Sequence, residues 1–291
     1  MRRLLDGVAM PVPHRSSVPI TSVETRNEAH NAAYFAHRHR IIAMGGRDDL
    51  RRKRRDGVYV FRDATNMSSP YNPRRLVITG DHANCTEKRK THAPRCEFDG
   101  RFSVARRRDG AHLLYARANA NGVSNKRGRF GGRHVQVAVH RGDPSTKGWG
   151  PFRLIEVEGF VGGRSFENLY FGAVNAVAGY LLGLFPLSSP GRHAIVAAFS
   201  CDGVHFSKFL DITPAGDAGA GRTFHQPVDG FIEEGGMVYA YVQENVRGLD
   251  MDRYDDDPNY PTAPPRVVRY GTTLLELERR AIVETRGLAG C

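Results

Sequence analysis

The chain has 291 residues, 40% apolar and 25% charged, so it can bury a substantial core and is not composed like a disordered chain. It contains no run of about 18 apolar residues to cross a membrane as a helix, and Met1 to Met10 lack the apolar stretch of a secretory signal. The net charge of +11 favours an anionic partner.

The basic runs Arg51-Arg52-Lys53-Arg54-Arg55, Lys88-Arg89-Lys90 and Arg106-Arg107-Arg108 fall in predicted turns rather than along one helix or groove. They read as solvated hairpin tips, and no nucleic-acid partner is expected. Cys85, Cys96, Cys201 and Cys291 are too few and scattered for a disulfide scaffold. That usage is compatible with a reducing, cytoplasmic compartment, although the location stays undetermined. His82, Cys85, His92 and Cys96 have the spacing of metal-ligand pairs, but only six residues separate the pairs, short for a zinc module. The reading is an ordinary loop, with no metal and no cofactor.

Residues 1–26 hold Pro11, Pro13 and Pro19 and no clear periodicity. They read as an extended arm, lying on the domain or completing its last blade, and residues 27–291 as a single domain. In the first repeat, Asn31 to Ala36, Ile41 to Gly45, Val58 to Arg62 and Leu76 to Thr79 have the length and composition of strands. The second carries Phe98 to Ala105, Leu113 to Arg117, His134 to Val139 and Phe152 to Val157, with Asp109-Gly110 as a turn. The third carries Leu169 to Val174, Tyr180 to Phe185, His193 to Phe199 and Phe209 to Ile212, with Asp202-Gly203 as a turn and Gly183 relieving crowding near the axis. In the fourth, Asp229 to Ile232 leads through Gly235-Gly236 to Met237 to Val242, and Arg266 to Tyr270 resumes the pattern. Between them lies an acidic loop, Asp250 to Asp257, without the spacing of a calcium loop. Leu274 to Glu284 fits either a strand pair or a short helix.

Asn31, Asp99, Glu167 and Asp229 open the four repeats at separations of 68, 68 and 62 residues. A near-constant period built from about four strands is the mark of a β-propeller. The first strand of each blade lines the axis, so Asp99, Glu167 and Asp229 are expected to converge. Carboxylates around one pocket suit glycoside hydrolysis, in which one protonates the leaving oxygen and another activates water or attacks the anomeric carbon. Crowded like charges keep one of them protonated near neutral pH.

Glu167 in Phe166-Glu167-Asn168-Leu169-Tyr170-Phe171 and Asp99 in Glu97-Phe98-Asp99-Gly100, with the recurring Asp-Gly rhythm over residues 27–270, resemble the five-bladed propeller glycosidases, the arabinanase, xylosidase, levansucrase and invertase superfamily. The resemblance implies an all-β, five-bladed β-propeller of which four repeats are legible. It implies Glu167 as general acid and Asp99 as the residue that holds substrate hydroxyls and tunes the acid. That group opens blade one with an Asp, where this chain has Asn27-Glu28-Ala29-His30-Asn31. Glu28 or Asp229 is the candidate to fill the missing role.

His30, Asn31, Arg101, Arg133, Asn168, Asn175 and His225 are candidate sugar-binding residues, supplying directional donors and acceptors, and Phe102, Tyr170 and Phe224 offer apolar faces. Alternation along a strand beginning near Thr223 puts His225 and Asp229 on one face. The expected function is a glycosidase acting on a poly- or oligosaccharide, with an anionic glycan favoured by the net charge. The alternatives are a non-catalytic glycan-binding propeller and a structural or interaction propeller.

Overall fold

A computed structural model of the chain describes residues 6–10, 32–46, 57–65, 75–79, 98, 101–119, 133–160, 168–189, 192–213, 223–247 and 266–291. The strands begin with β1 (Asp6–Met10), followed by β2 (Ala33–His37), β3 (Arg40–Gly46), β4 (Gly57–Ala64) and β5 (Arg75–Thr79). The next group is β6 (Ser103–Arg106), β7 (His112–Asn119), β8 (Arg133–His140), β9 (Arg153–Leu154) and β10 (Glu156–Val157). Then come β11 (Asn168–Leu169), β12 (Ala173–Val177), β13 (Tyr180–Ser189), β14 (Arg192–Ser200), β15 (His205–Phe206) and β16 (Leu210–Asp211). The last are β17 (Thr223–Pro227), β18 (Ile232–Glu234), β19 (Met237–Arg247), β20 (Arg266–Thr273) and the helix α1 (Leu274–Glu284).

These strands build four antiparallel meanders. The first is β2-β3-β4-β5 and the second β6-β7-β8-β9. The third runs β11-β13-β14-β16 with β12 also on β13, and the fourth runs β17-β19-β20-β1 with β18 on β19. Sequence-distant β1 closes the outer edge of the fourth sheet, Asp6 opposite Gly271 and Met10 opposite Val267. A short parallel pair, β10 with β15, ties the second sheet to the third. The all-β propeller reading therefore holds, but with four blades rather than five among the described residues.

Apolar alternation explains how the blades stack. Ile42, Met44, Val58 and Val60 of the first sheet pack against Val104, Leu114, Ala116 and Ala138 of the second. Leu113, Tyr115, Val135 and Val137 on the opposite face of that second sheet meet Val174, Phe185, Val196 and Phe206 of the third. A third core joins Leu182, Leu184, Ile195 and Ala197 to Val238, Ala240, Val242 and Tyr270, with Leu277 and Ala281 of α1. A strand with two buried faces reads as a nearly continuous apolar run, which is why Leu181 to Phe185 and Ala194 to Phe199 were conspicuous in sequence.

Gly203, in the Asp202-Gly203 turn, has φ +83°, and a Cβ there would lie 2.4 Å from Leu113 Cδ1 and 2.7 Å from Tyr115 Oη. The turn thus presses on the second sheet, and fully buried Tyr115 donates its hydroxyl to Gly203 O at 3.0 Å. The crowding at Gly183 comes from the Phe185 ring, 2.5 Å from a Cβ built there, and from Phe206. It belongs to the core between the second and third blades rather than to the axis.

The C-terminal segment resolves as a helix. Thr273 caps it by accepting the Glu276 N–H at 3.1 Å, the Thr-x-x-Glu pattern of a capping box. Beyond it Cys291 is disulfide-bonded to Cys201, 90 residues away, which corrects the expectation of unpaired cysteines. Closing a loop of that size stabilises the fold by about 4–5 kcal/mol on the chain-entropy model. Two cysteines in sequence gave no sign of this, because the helix had first to carry the chain end back to the third blade.

Candidate functional site

Three blades converge on the hydroxyl of Ser103. Ala178 and Gly179, both with positive φ, make a two-residue hairpin turn between β12 and β13, with Val177 opposite Tyr180. Alternation from that pair turns the N–H and C=O of Val174 away from β13. Ser103, fully buried at the start of β6, meets both: its Oγ lies 3.0 Å from Val174 N and 3.0 Å from Val174 O. Its third contact is Asp229 Oδ1 at 2.9 Å. Asn175 Nδ2, on the next residue of β12, donates to the same oxygen at 3.2 Å.

Asp229 reaches this point on the link between β17 and β18. Pro227 ends β17, Val228 N–H donates to Tyr241 O at 2.8 Å, and Gly230 turns the chain with φ +98°. Arg101 fixes the base of this link from the second sheet, donating from Nη1 to Pro227 O at 3.0 Å and from Nη2 to Gln243 Oε1 at 3.2 Å. Its guanidinium lies 5.4 Å from the centroid of buried Phe171.

Asp229 is exposed by its own surface area but lies among groups of three blades. Desolvation by the surrounding protein pushes its carboxyl up to about 6, against the Ser103 hydroxyl where it donates to the carboxylate, the Asn175 amide, the Gly230 N–H and the Arg101 charge. All three hydrogen-bond partners are neutral, and Arg101 donates instead to Pro227 and Gln243. A carboxyl so placed passes between acid and base near neutral pH.

A second group adjoins it. Asn168, buried at the start of the third sheet, accepts the Arg133 backbone N–H at 3.0 Å. The Arg133 guanidinium lies 4.5 Å and that of Arg117 5.4 Å from the centroid of the Tyr170 ring. Tyr170 meets Phe171 edge-on at 5.8 Å. From Arg133 these side chains form an arc through Tyr170 and Phe171 to Arg101, whose charge acts on Asp229.

Of the residues singled out by sequence, the structure thus brings together Asp229, Asn175 and Arg101, and beside them Arg133, Asn168 and Tyr170. Asp229 does not open its sheet as expected; it follows the inner strand β17. Strand alternation does not put it on one face with His225, because a bulge between Phe224 and Gln226 and the end of β17 at Pro227 break the register. Phe102 is a core residue packed with Phe98 rather than an apolar wall. Glu28, His30, Asn31, Asp99 and Glu167 lie outside the described residues, as do His82, Cys85, His92, Cys96 and the acidic loop.

Ser103 went unread. The only hint was a small polar residue within the apolar run Phe102-Ser103-Val104-Ala105. Among the described residues no group of three or more His, Cys, Asp or Glu could hold a metal ion, and no helix is long and apolar enough to cross a membrane.

No protein-family model matches the chain, and no curated protein matches it. Solved structures do. An α-L-arabinofuranosidase from Fusarium graminearum aligns over 84% of this chain and 58% of its own, with 10% identity and a TM-score of 0.49. An α-L-arabinanase from Penicillium chrysogenum aligns over 84% and 57%, with 9% identity and a TM-score of 0.46. An exo-β-1,3-galactanase from Phanerochaete chrysosporium aligns over 75% and 44%, with 9% identity and a TM-score of 0.47. The chain thus spans 44–58% of the length of these three proteins.

Proposed function

We propose that the protein is a glycoside hydrolase-like propeller in which Asp229 is the proton-bearing carboxyl at the axis. The observation that carries this reading is the Asp229 side chain itself, water-accessible, held by Ser103 and Asn175 from two other blades, and raised to about 6. A general acid works best when its pKa lies near the working pH. Glycosidic cleavage requires such an acid to protonate the departing oxygen and a second carboxylate to activate water or attack the anomeric carbon. Asp99 and Glu167 are the candidates for that second role. Asp99 precedes Arg101 by two residues and Glu167 directly precedes Asn168, and both neighbours belong to the arc described above. Tyr170 supplies a half-buried ring against which a sugar face can pack. The arginines along the arc favour an acidic glycan.

The test is a hydrolysis screen over neutral and acidic oligosaccharides with wild-type protein, Asp229→Asn, Glu167→Gln and Asp99→Asn. Expected is cleavage that declines above about pH 6 and is lost in Asp229→Asn, with Glu167→Gln or Asp99→Asn identifying the second carboxylate. Glycan binding without cleavage by the wild type overturns catalysis and leaves a binding propeller.

A further inference from the structure

Ser103 Oγ has one hydrogen to give and faces two groups that would take it. A serine hydroxyl offers one donor and two acceptor lone pairs. The Val174 N–H occupies one lone pair, at 3.0 Å. Val174 O, at 3.0 Å, and Asp229 Oδ1, at 2.9 Å, then compete for the single hydrogen. If Asp229 is ionised and Ser103 serves it, the buried Val174 carbonyl loses its partner; if Ser103 serves Val174 O, Asp229 Oδ1 keeps the Asn175 amide but faces the Ser103 oxygen at 2.9 Å with no hydrogen between them. If Asp229 carries a proton on Oδ1, all three contacts are made at once. Ser103 donates to Val174 O, accepts from Val174 N–H, and accepts from the carboxylic acid through its remaining lone pair.

We propose that Ser103 is a positioning residue that holds Asp229 as the neutral acid, by committing its hydroxyl hydrogen to the edge of the third blade at Val174. When Asp229 gives up its proton to a ligand oxygen, the Ser103 hydroxyl rotates from Val174 O to Asp229 Oδ1 and supplies a hydrogen bond to the carboxylate as it forms. The Asp229 O–H first turns from Ser103 Oγ to the ligand oxygen, so the Asp229–Ser103 hydrogen bond breaks and re-forms with its direction reversed, and the proton passes from Asp229 to the ligand. The other groups around the carboxyl do not dictate this preference. Asn175, from β12, donates an amide hydrogen that favours the carboxylate, as does the Gly230 N–H. Arg101 is the charged group acting on it from the second sheet, and it favours the carboxylate. The strand β17, leading to Asp229, carries His225.

This inference deepens the role proposed for Asp229 and rests on it for its catalytic consequence, but its test is independent of turnover. The Asp229 side-chain carboxyl is followed by carbon-13 NMR between pH 3 and 9 in aspartate-labelled protein, with Asp229→Asn assigning the resonance. Expected in Ser103→Ala is a midpoint lower than wild type by about one pH unit, the size of one neutral hydrogen bond, with Ser103→Thr restoring the wild-type midpoint. A midpoint that rises or stays fixed in Ser103→Ala overturns the proposal, since a simple donor to the carboxylate predicts a rise. The wild type alone supplies a second reading if Ser103→Ala does not fold. The Val174 carbonyl resonance is expected to shift with the Asp229 midpoint as its hydrogen bond is withdrawn, and an invariant Val174 carbonyl overturns the proposal. Absence of glycan cleavage with the expected titration would sink the hydrolase reading and leave the hydrogen-bond assignment standing.

Discussion

Two places where blades meet handle the same residue type in opposite ways. Between the first and second blades, Arg40 donates to Asp63 at 2.8 Å and to Asp143 at 2.6 Å. Asp143 also accepts the Ser145 N–H and hydroxyl. Burial works against its ionised form, but those Ser145 bonds and Arg40 hold the carboxyl well below the usual range. At the inner junction of the second, third and fourth blades, Asp229 has neutral hydrogen-bond partners and is raised to about 6. Neither aspartate is closed off from water, so exposure alone does not separate them. The identity of the partners does: a guanidinium in direct contact fixes a carboxylate, whereas hydroxyl and amide groups leave it free to take up a proton.

The first seam also holds a pair of histidines. His37 Nδ1 and His112 Nε2 share a hydrogen bond at 3.1 Å, while His37 Nε2 and His112 Nδ1 are buried without a hydrogen-bond partner among the described residues. Desolvation, with the mutual repulsion of the pair, pushes His112 down to about 4, and desolvation lowers His37 as well. Acid therefore acts on the two regions with opposite signs. The histidines and Asp143 make the first seam weaker as pH falls, while Asp229 makes the inner junction more favourable.

The largest expected effect tests the inner junction. Asp229→Asn should lower glycan turnover by about 10²–10⁴-fold, the usual contribution of a general acid, with binding of the same glycan retained; steady-state kinetics beside a binding isotherm separates the two. At the seam, the neutral His112 stabilises the folded chain fully above the ordinary histidine pKa of 6.5, and that contribution is lost as pH falls toward about 4. Replacing it in His112→Gln should remove about 2–3 kcal/mol of the loss between pH 7 and pH 4, read by urea unfolding at both pH values. An unchanged slope would mean that the pair does not carry the acid sensitivity.

Arg40→Ala should cost about 1–2 kcal/mol at pH 7, between the values for exposed and buried ion pairs. The sign follows from the depressed Asp143. Its contribution is present above the unfolded value near 4 and lost as pH falls through the folded one, so wild type and Arg40→Ala should converge in acid. A separation between wild type and Arg40→Ala that does not shrink as pH falls below 3 would refute that assignment. The smallest effect is on stability at the other site. Asp229 binds its proton more tightly folded than unfolded, so stability falls as pH rises from 3.8 to about 6. Asp229→Asn should be relatively more stable at pH 7 than at pH 4, and thermal melts at the two pH values would expose the opposite trend if the carboxyl is not raised.

The strand pattern was open to reading because blade strands bury both faces, and apolar runs punctuated by Asp-Gly turns survive without knowledge of the fold. Val58 to Arg62, Leu113 to Arg117 and His134 to Val139 fall inside β4, β7 and β8 for that reason. The sequence suggests one strand from Phe98 to Ala105; among the described residues regular pairing begins at Ser103, and Arg101 turns toward the fourth blade and its partners Pro227 and Gln243. Asp229 sits elsewhere in its repeat than the period suggests. Its repeat position suggested a strand opening, whereas the bulge in β17 and the stop at Pro227 set it in a link beyond the strand.

What the sequence determined by itself was local: strand lengths, turns, apolar faces and a period, all fixed by interactions between residues a few positions apart. The disulfide and the Ser103-Val174-Asp229 contact were decided only by tertiary structure. Ser103 and Asp229 are 126 residues apart, and Cys201 and Cys291 are 90 apart. No periodicity links such positions, because a hydroxyl or a thiol has no preferred partner until packing of the blades has chosen its neighbours.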